Sequence, residues 1–199
     1  MQKRWSYLGV NYLQHTMKFI ETKLKGAYTI EIEPSVDDRG WFSRVFCMRE
    51  FGQINHNENF VQINHSSNTN KGTVRGMHYQ IPPESETKLI RCIRGKIFDV
   101  IIDLRENSPA FLQWIGVELS AENMKMIYVP EGFAHGFQTL EDNSELIYHH
   151  TSFYNPSAER GIRYNDKLIG VKWPLDITNI SEKDTSYPLL DSNFKGLNL

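Results

Sequence analysis

The chain has 199 residues, a formal net charge of −2, and a composition that is 40% hydrophobic and 23% charged. That length suits one well-packed domain and is short for two, and the near-neutral balance lacks the basic excess of a nucleic-acid binder. Residues 1–16 mix aromatic and polar side chains without the apolar core of roughly seven or more residues that a signal peptide needs, and they resemble no membrane span. The chain is therefore read as cytoplasmic, with 1–16 an extension of unassigned role and 17–199 a single domain.

Taken in order, residues 19–22 and 27–34 read as short strands broken at Gly26. The Asp37-Asp38-Arg39-Gly40 run favours a turn, after which 41–46 resumes a strand. Residues 48–51 suit a helical turn before a polar loop at 53–59. Alternation returns at 60–66: Gln62, Asn64 and Ser66 share one face, Val61 and Ile63 the other. The polar face either lines a cavity or meets solvent. Residues 67–72 read as a loop.

The most informative stretch then opens with Arg75-Gly76-Met77-His78-Tyr79-Gln80. On a strand, Gly76, His78 and Gln80 share a face, so Gly76 would leave space for a ligand beside the histidine. Arg75 points the other way unless a bulge re-aims it. Pro82-Pro83 lack the N–H groups an interior strand needs and place a loop at a barrel mouth. Strands follow at 88–94 and 96–104, turned at Gly95, then at 111–119 and 124–129. Residues 130–137 read as a tight turn carrying His135, and 145–151 as a late strand. Short strands with glycine and proline between them mark an all-β barrel or sandwich. The tail, 157–199, reads as irregular apart from a helical turn capped by Ser181, packed on the barrel.

His78 is either hydrogen-bonded structure or a base. A nearby Lys88 would favour neutral imidazole and could stabilise a developing enolate oxygen, unless its ammonium simply reaches water. Asp184 could orient a histidine by accepting from its Nδ1–H, or could only cap the tail. Tyr148 defaults to a core role. Arg39 and Arg75 could each hold a phosphate with forked donors. A metal centre would need three well-placed ligands, and the His78-Tyr79-Gln80 run offers no His-x-His pair. Cys47 and Cys92 match no metal spacing and read as inert reduced thiols, with a disulfide the other option.

Arg75-Gly76-Met77-His78-Tyr79-Gln80, Lys88-Leu89-Ile90-Arg91, Phe98-Asp99-Val100, Leu119-Ser120-Ala121-Glu122-Asn123, Pro130-Glu131-Gly132-Phe133-Ala134-His135-Gly136-Phe137 and Ser181-Glu182-Lys183-Asp184 resemble, in order and spacing, the dTDP-4-dehydrorhamnose 3,5-epimerase family. The resemblance implies a cupin-type jelly roll, a homodimer, a small-molecule sugar nucleotide as substrate, and neither metal nor organic cofactor. It implies His78 as base, Asp184 as its carboxylate partner, Lys88 near the keto oxygen and Tyr148 as acid on the opposite face. Arg39, Gln62, Asn64, Arg75, His135, Glu159 and Lys183 match positions that contact sugar or nucleotide, and Tyr154 matches the ring that stacks on the base.

Two positions depart from that pattern: Arg44, also a binding position, stands where the family usually carries glutamate, and Ile63 where it carries aspartate. His149, where lysine is common, would add a titratable group beside Tyr148. An enzyme inverting one centre, a metal cupin, and a sugar-nucleotide binding module without catalysis are the alternatives.

Overall fold

The computed structural model describes residues 17–199, so the extension expected at 1–16 lies outside the described residues. In chain order the strands are β1 (Lys18–Glu21), β2 (Tyr28–Glu31), β3 (Ser35–Asp37), β4 (Gly40–Phe42), β5 (Gln62–Asn68), β6 (Val74–Gln80), β7 (Lys88–Arg94), β8 (Lys96–Asp103), β9 (Trp114–Ser120), β10 (Met126–Val129), β11 (Phe133–Thr139), β12 (Ser144–His150) and β13 (Glu159–Gly161). A short helix, α1 (Met48–Phe51), precedes β5, and α2 (Glu182–Ser186) lies in the tail.

These strands form a six-stranded sheet, β1-β2-β10-β7-β12-β5, a five-stranded sheet, β13-β6-β11-β8-β9, and the separate hairpin β3-β4. From β5 onward the chain crosses from sheet to sheet at almost every step, apart from the β8–β9 hairpin, and the strand pairings are antiparallel. This is the expected jelly roll.

Three apolar layers hold it. Ile90, Cys92, Ile97, Ile101, Ile127, Phe137 and Leu146 pack between the sheets. Met77, Val100, Ile102 and Ala134 face outward from the five-stranded sheet, where Ile162, Ile169, Trp173, Leu190 and Phe194 of the tail cover them. Ile30, Leu89, Met126 and Tyr128 are covered by Phe51 of α1 and its neighbours Phe46 and Phe60. β8 is consequently buried on both faces and reads as a nearly unbroken apolar run, not as an alternating one. Each such buried aliphatic side chain contributes about 1.5–3 kcal/mol.

Several boundaries differ from the sequence expectation. The turn at 130–137 ends at Gly132, whose φ of +80° completes it, and His135 sits mid-strand in β11 between β6 and β8. Glu159–Gly161 is a strand, not a loop, because β6 offers a free edge with which it pairs. β5 runs on to Asn68 opposite Ser144, and β4 stops at Phe42, where its partner β3 begins. Cys47 and Cys92 are free thiols, and burial pushes that of Cys92 up to about 11.

Candidate active site

A cavity of about 300 Å³ opens between the two sheets, within the range of small-ligand sites. The five-stranded sheet contributes Arg75, His78 and Gln80 from β6 and His135 from β11. The six-stranded sheet contributes Asn64 and Ser66 from β5, Lys88 from β7, and Tyr148 and His150 from β12. The polar face of β5 therefore points inward, while Val61 and Ile63 face solvent.

β6 carries a bulge. His78 pairs with His135, whereas Arg75 pairs with Phe137, so the β6 side spends one residue more than β11 over the same interval. That slip turns Arg75 to the side of His78, where its Nε donates to Asn68 Oδ1 at 2.7 Å. Gly76 does not leave room for a ligand as expected. A Cβ there would stand 2.7 Å from Gly136 Cα and from His135 O, so glycine is required by the close approach of β11 itself.

His78 donates from Nε2, not from Nδ1 as expected, to Asp184 Oδ1 at 2.6 Å. The second oxygen of Asp184 accepts the Gly76 amide at 3.2 Å, and the Asp184 amide donates to the capping Ser181 hydroxyl at 3.0 Å. Burial pushes the Asp184 carboxyl up, but the bond to His78 and the positive charge that this ring carries when protonated, with the Gly76 and Ser181 donors, hold it below the ordinary aspartate range. An ionised Asp184 keeps the proton on Nε2 and leaves the Nδ1 lone pair of His78 for chemistry.

Across the cavity, the Tyr148 hydroxyl lies 2.9 Å from Ser66 Oγ. Burial raises the Tyr148 pKa well above that of a free phenol, with Ser66 pulling it partly back, so the hydroxyl keeps its proton. Lys88 is buried, with Nζ 3.5 Å from the His78 carbonyl and 3.1 Å from Glu86 Oε1. At the cavity floor His135 Nε2 lies 2.8 Å from Oδ2 of the fully buried Asp99. Burial drives the Asp99 carboxyl up, against the pull of His135. At the mouth, Glu159 accepts from Tyr154 at 2.8 Å and from Lys183 at 2.6 Å. Lys183 and Asp184 also line a neighbouring recess with Arg75 and His78.

The remaining expected residues lie elsewhere within this chain. Arg39, at the β3–β4 turn, is exposed and pairs with Asp37, and Arg44 pairs with Glu50 of α1; neither lines the cavity. His149 does not stand beside Tyr148 in the cavity as expected. Strand alternation turns it outward onto Phe60, with its Nδ1 facing the Leu89 carbonyl at 3.4 Å. The histidine that β12 turns into the cavity is His150, whose ring stacks with Tyr148 at a centroid distance of 6.3 Å.

Sequence reasoning assigned no role to Glu86 or Asp99 and gave Ser66 only a place on the polar face of β5. Asp99 had a visible signal, a lone carboxylate inside the apolar run Ile97-Phe98-Asp99-Val100-Ile101-Ile102, and Ser66 shared a face with Asn64. Among the described residues, no group of three or more His, Cys, Asp and Glu side chains is placed to hold a metal ion.

The chain is similar to known proteins over most of its length. The family model described as dTDP-4-dehydrorhamnose 3,5-epimerase matches residues 21–192. A dTDP-4-dehydrorhamnose 3,5-epimerase of Shigella flexneri is 43% identical over 169 residues, covering 84% of this chain and 93% of that one. The crystal structure of the Bacillus anthracis enzyme with TDP and PPi bound superposes with a TM-score of 0.85 at 40% identity, covering 88% of this chain and all of the other. The Legionella pneumophila dTDP-6-deoxy-D-glucose-3,5-epimerase, solved with dTDP-4-keto-L-rhamnose, gives 0.82 at 36% identity, covering 86% of this chain and 91% of that one. With the match running through both sheets and into the tail that supplies Asp184, the chain belongs to the dTDP-4-dehydrorhamnose 3,5-epimerase family.

Proposed function

We propose that this protein inverts C3 and C5 of a nucleotide-linked 4-keto-6-deoxy sugar, converting dTDP-4-dehydro-6-deoxy-D-glucose to dTDP-4-dehydro-L-rhamnose. The observation that carries this reading is the opposition of two proton-transfer groups across one cavity. The His78–Asp184 pair stands on the five-stranded sheet and the Tyr148 hydroxyl on the six-stranded sheet.

Inversion at a carbon next to a ketone needs that arrangement. A base on one face removes the proton, the C–H electrons pass into an enolate, and an acid on the other face returns a proton to carbon. His78 Nδ1 is the base, activated because Asp184 holds the Nε2 proton. The Lys88 ammonium stabilises the negative charge on the C4 oxygen. Tyr148 gives its proton to the opposite face; before the second centre is inverted, and again before the next turnover, it recovers a proton from solvent and His78 releases the one it took. Arg75 and His135 bind polar groups of the substrate, while Tyr154, Glu159 and Lys183 hold the nucleotide at the mouth.

A second copy of the chain is the partner in this reading. The β3–β4 hairpin exposes Val36 at 74% and Phe42 at 70%, an apolar surface that the described residues leave uncovered. Arg39 sits on that hairpin and not in its own cavity, so a nucleotide contact by Arg39 is made to the site of the partner. Among the described residues no helix is long and apolar enough to cross a membrane, and a cytoplasmic location fits a nucleotide-sugar substrate.

The test is incubation of the purified protein with the keto-sugar nucleotide in deuterated buffer. Deuterium should enter C3 and C5 with formation of the L-sugar. Incorporation at one carbon selects a single-centre epimerase, and none on several such nucleotides removes the proposal.

A further inference from the structure

Glu86 and His150 have no place in the proton transfers above, yet both line the cavity and are joined within it. They form the middle of a continuous polar line. The Tyr154 amide donates to Gln62 Oε1 at 3.0 Å, and Gln62 Nε2 donates to Asn64 Oδ1 at 3.1 Å. Asn64 Nδ2 meets His150 Nε2 at 3.3 Å, His150 Nδ1 meets Glu86 Oε2 at 2.7 Å, and Lys88 Nζ meets Glu86 Oε1 at 3.1 Å.

The direction of every bond in this line is determined by its ends. A backbone amide only donates, so Gln62 must present its oxygen to Tyr154 and its NH₂ to Asn64. Asn64 then presents its oxygen to Gln62 and its NH₂ to the ring of His150. His150 Nε2 is left as an acceptor, so Nδ1 carries the proton and donates to Glu86. At the far end Glu86 only accepts. Burial pushes its carboxyl up, but His150 and Lys88 together hold it below the ordinary range, so it stays ionised.

Any other state of the imidazole breaks the line. A proton on Nε2 faces the Asn64 NH₂, and turning both amides to relieve that contact sets the Gln62 NH₂ against the Tyr154 N–H.

We propose that His150 is a positioning residue: as its Nδ1–H tautomer it fixes the Asn64 and Gln62 amides toward the Tyr154 loop and, through Glu86, fixes the ammonium of Lys88. The inference deepens the epimerase reading and takes its substrate from it. It ties the segment that meets the nucleotide to the lysine that meets the keto oxygen, two parts of the site held on different elements. Tyr154 is 53% exposed, and its loop is tied down by this line, by its own hydroxyl on Glu159, and by Gln80, which bonds the Phe153 carbonyl and the Asn155 amide.

Nitrogen NMR of the histidine-labelled protein, with His150 assigned by its loss in a variant, should show Nδ1 protonated and Nε2 bare; an Nε2–H ring or an imidazolium at assay pH overturns the proposal. His150→Phe keeps a ring against Tyr148 but removes both nitrogens, and it should raise KM about tenfold, the value of one lost hydrogen bond, and more than it lowers kcat. His150→Gln sends an amide oxygen to the place of Nε2 and should recover most of that loss. A merely structural role predicts the reverse order, because phenylalanine preserves the packing and glutamine does not.

Calorimetry with dTDP reads the same effect without turnover, and weakened binding in His150→Phe restored in His150→Gln is expected. If the wild-type protein turns over no keto-sugar nucleotide, the epimerase reading fails while the NMR and calorimetry still decide this one. Normal turnover with equal KM in all three proteins overturns the positioning role alone.

Discussion

Asp184 reaches from the tail to His78 of β6, its Oδ1 2.6 Å from Nε2, while its Oδ2 accepts the amide of Gly76 in the same strand. One carboxylate from α2 thus fixes both the ring and the backbone of the bulge that carries it. The five-residue α2 is too short to be stable alone. It is held by the Ser181 cap and by this bond, so His78 and the tail order one another.

Replacing Asp184 with asparagine keeps the size of the side chain but lets an NH₂ donate to His78 Nε2, which moves the imidazole proton to Nδ1 and points it at the substrate. The base is then in the wrong tautomer. Asp184→Asn is expected to lower kcat by on the order of 10²–10⁴, with little change in KM. Steady-state kinetics on the keto-sugar nucleotide measures both, and a kcat within a few-fold of wild type would remove His78 as the base.

Tyr148→Phe tests the other face. The ring still stacks with His150, but the hydroxyl that meets Ser66 Oγ, and its proton, are gone. His78 should continue to remove hydrogen and return deuterium to the face from which it came. Solvent exchange should therefore persist at a reduced rate while inversion falls by on the order of 10²-fold or more, the share of a positioned acid. NMR of the recovered sugar separates the outcomes, and inversion in step with exchange would exclude Tyr148 as the acid.

The sequence disclosed these groups unevenly, for a physical reason. His78, Lys88 and Asp184 stand in motifs, Tyr148 is marked only by the family resemblance, and Gln62, Asn64 and Ser66 share a face by simple alternation. Alternation also predicted that Arg75 would point away from His78, which the bulge reverses. Bulges are set by register against a partner strand, which no local pattern contains. Adjacency in sequence puts His149 next to Tyr148. In a strand, the neighbour on the same face is two residues on, His150. The pairing of Glu86 with His150 joins a loop to a strand end across 64 positions, beyond any local pattern.

Acid stability should report on His56 and His149. Burial holds both rings below the ordinary histidine value, with Glu58 pulling His56 partly back and the Leu89 carbonyl acting likewise on His149. His56 packs among Phe46, Phe51 and Phe60, and its Nε2 has no partner among the described residues. The unfolded chain takes up protons at these rings first. Their contribution is therefore complete above about pH 6.5, the unfolded value, and is lost as pH falls from there through the lower folded values. Thermal unfolding should show Tm falling between pH 7 and pH 5, and His56→Phe should remove roughly half of that slope, its share of the two rings. An unchanged slope in the variant would assign the acid sensitivity elsewhere.

Gly161 is required by packing, not by backbone conformation. It pairs with His78 across β13 and β6, and a Cβ there would stand 2.2 Å from Cε2 and 2.3 Å from Cζ of Tyr187. Tyr187 follows α2 directly and lies edge-on to the His78 ring at 6.0 Å. Added volume at Gly161 must push Tyr187 outward and draw α2, with Asp184, away from the base. Gly161→Ala should cost about 1–3 kcal/mol of stability, as overpacking does, and lower kcat together with it. Trimming the ring in Tyr187→Leu removes the obstruction, so Gly161→Ala should cost much less in that background, a coupling that thermal melts and kcat of the four proteins measure directly. Additive effects would mean that Tyr187 and Gly161 act on the site independently.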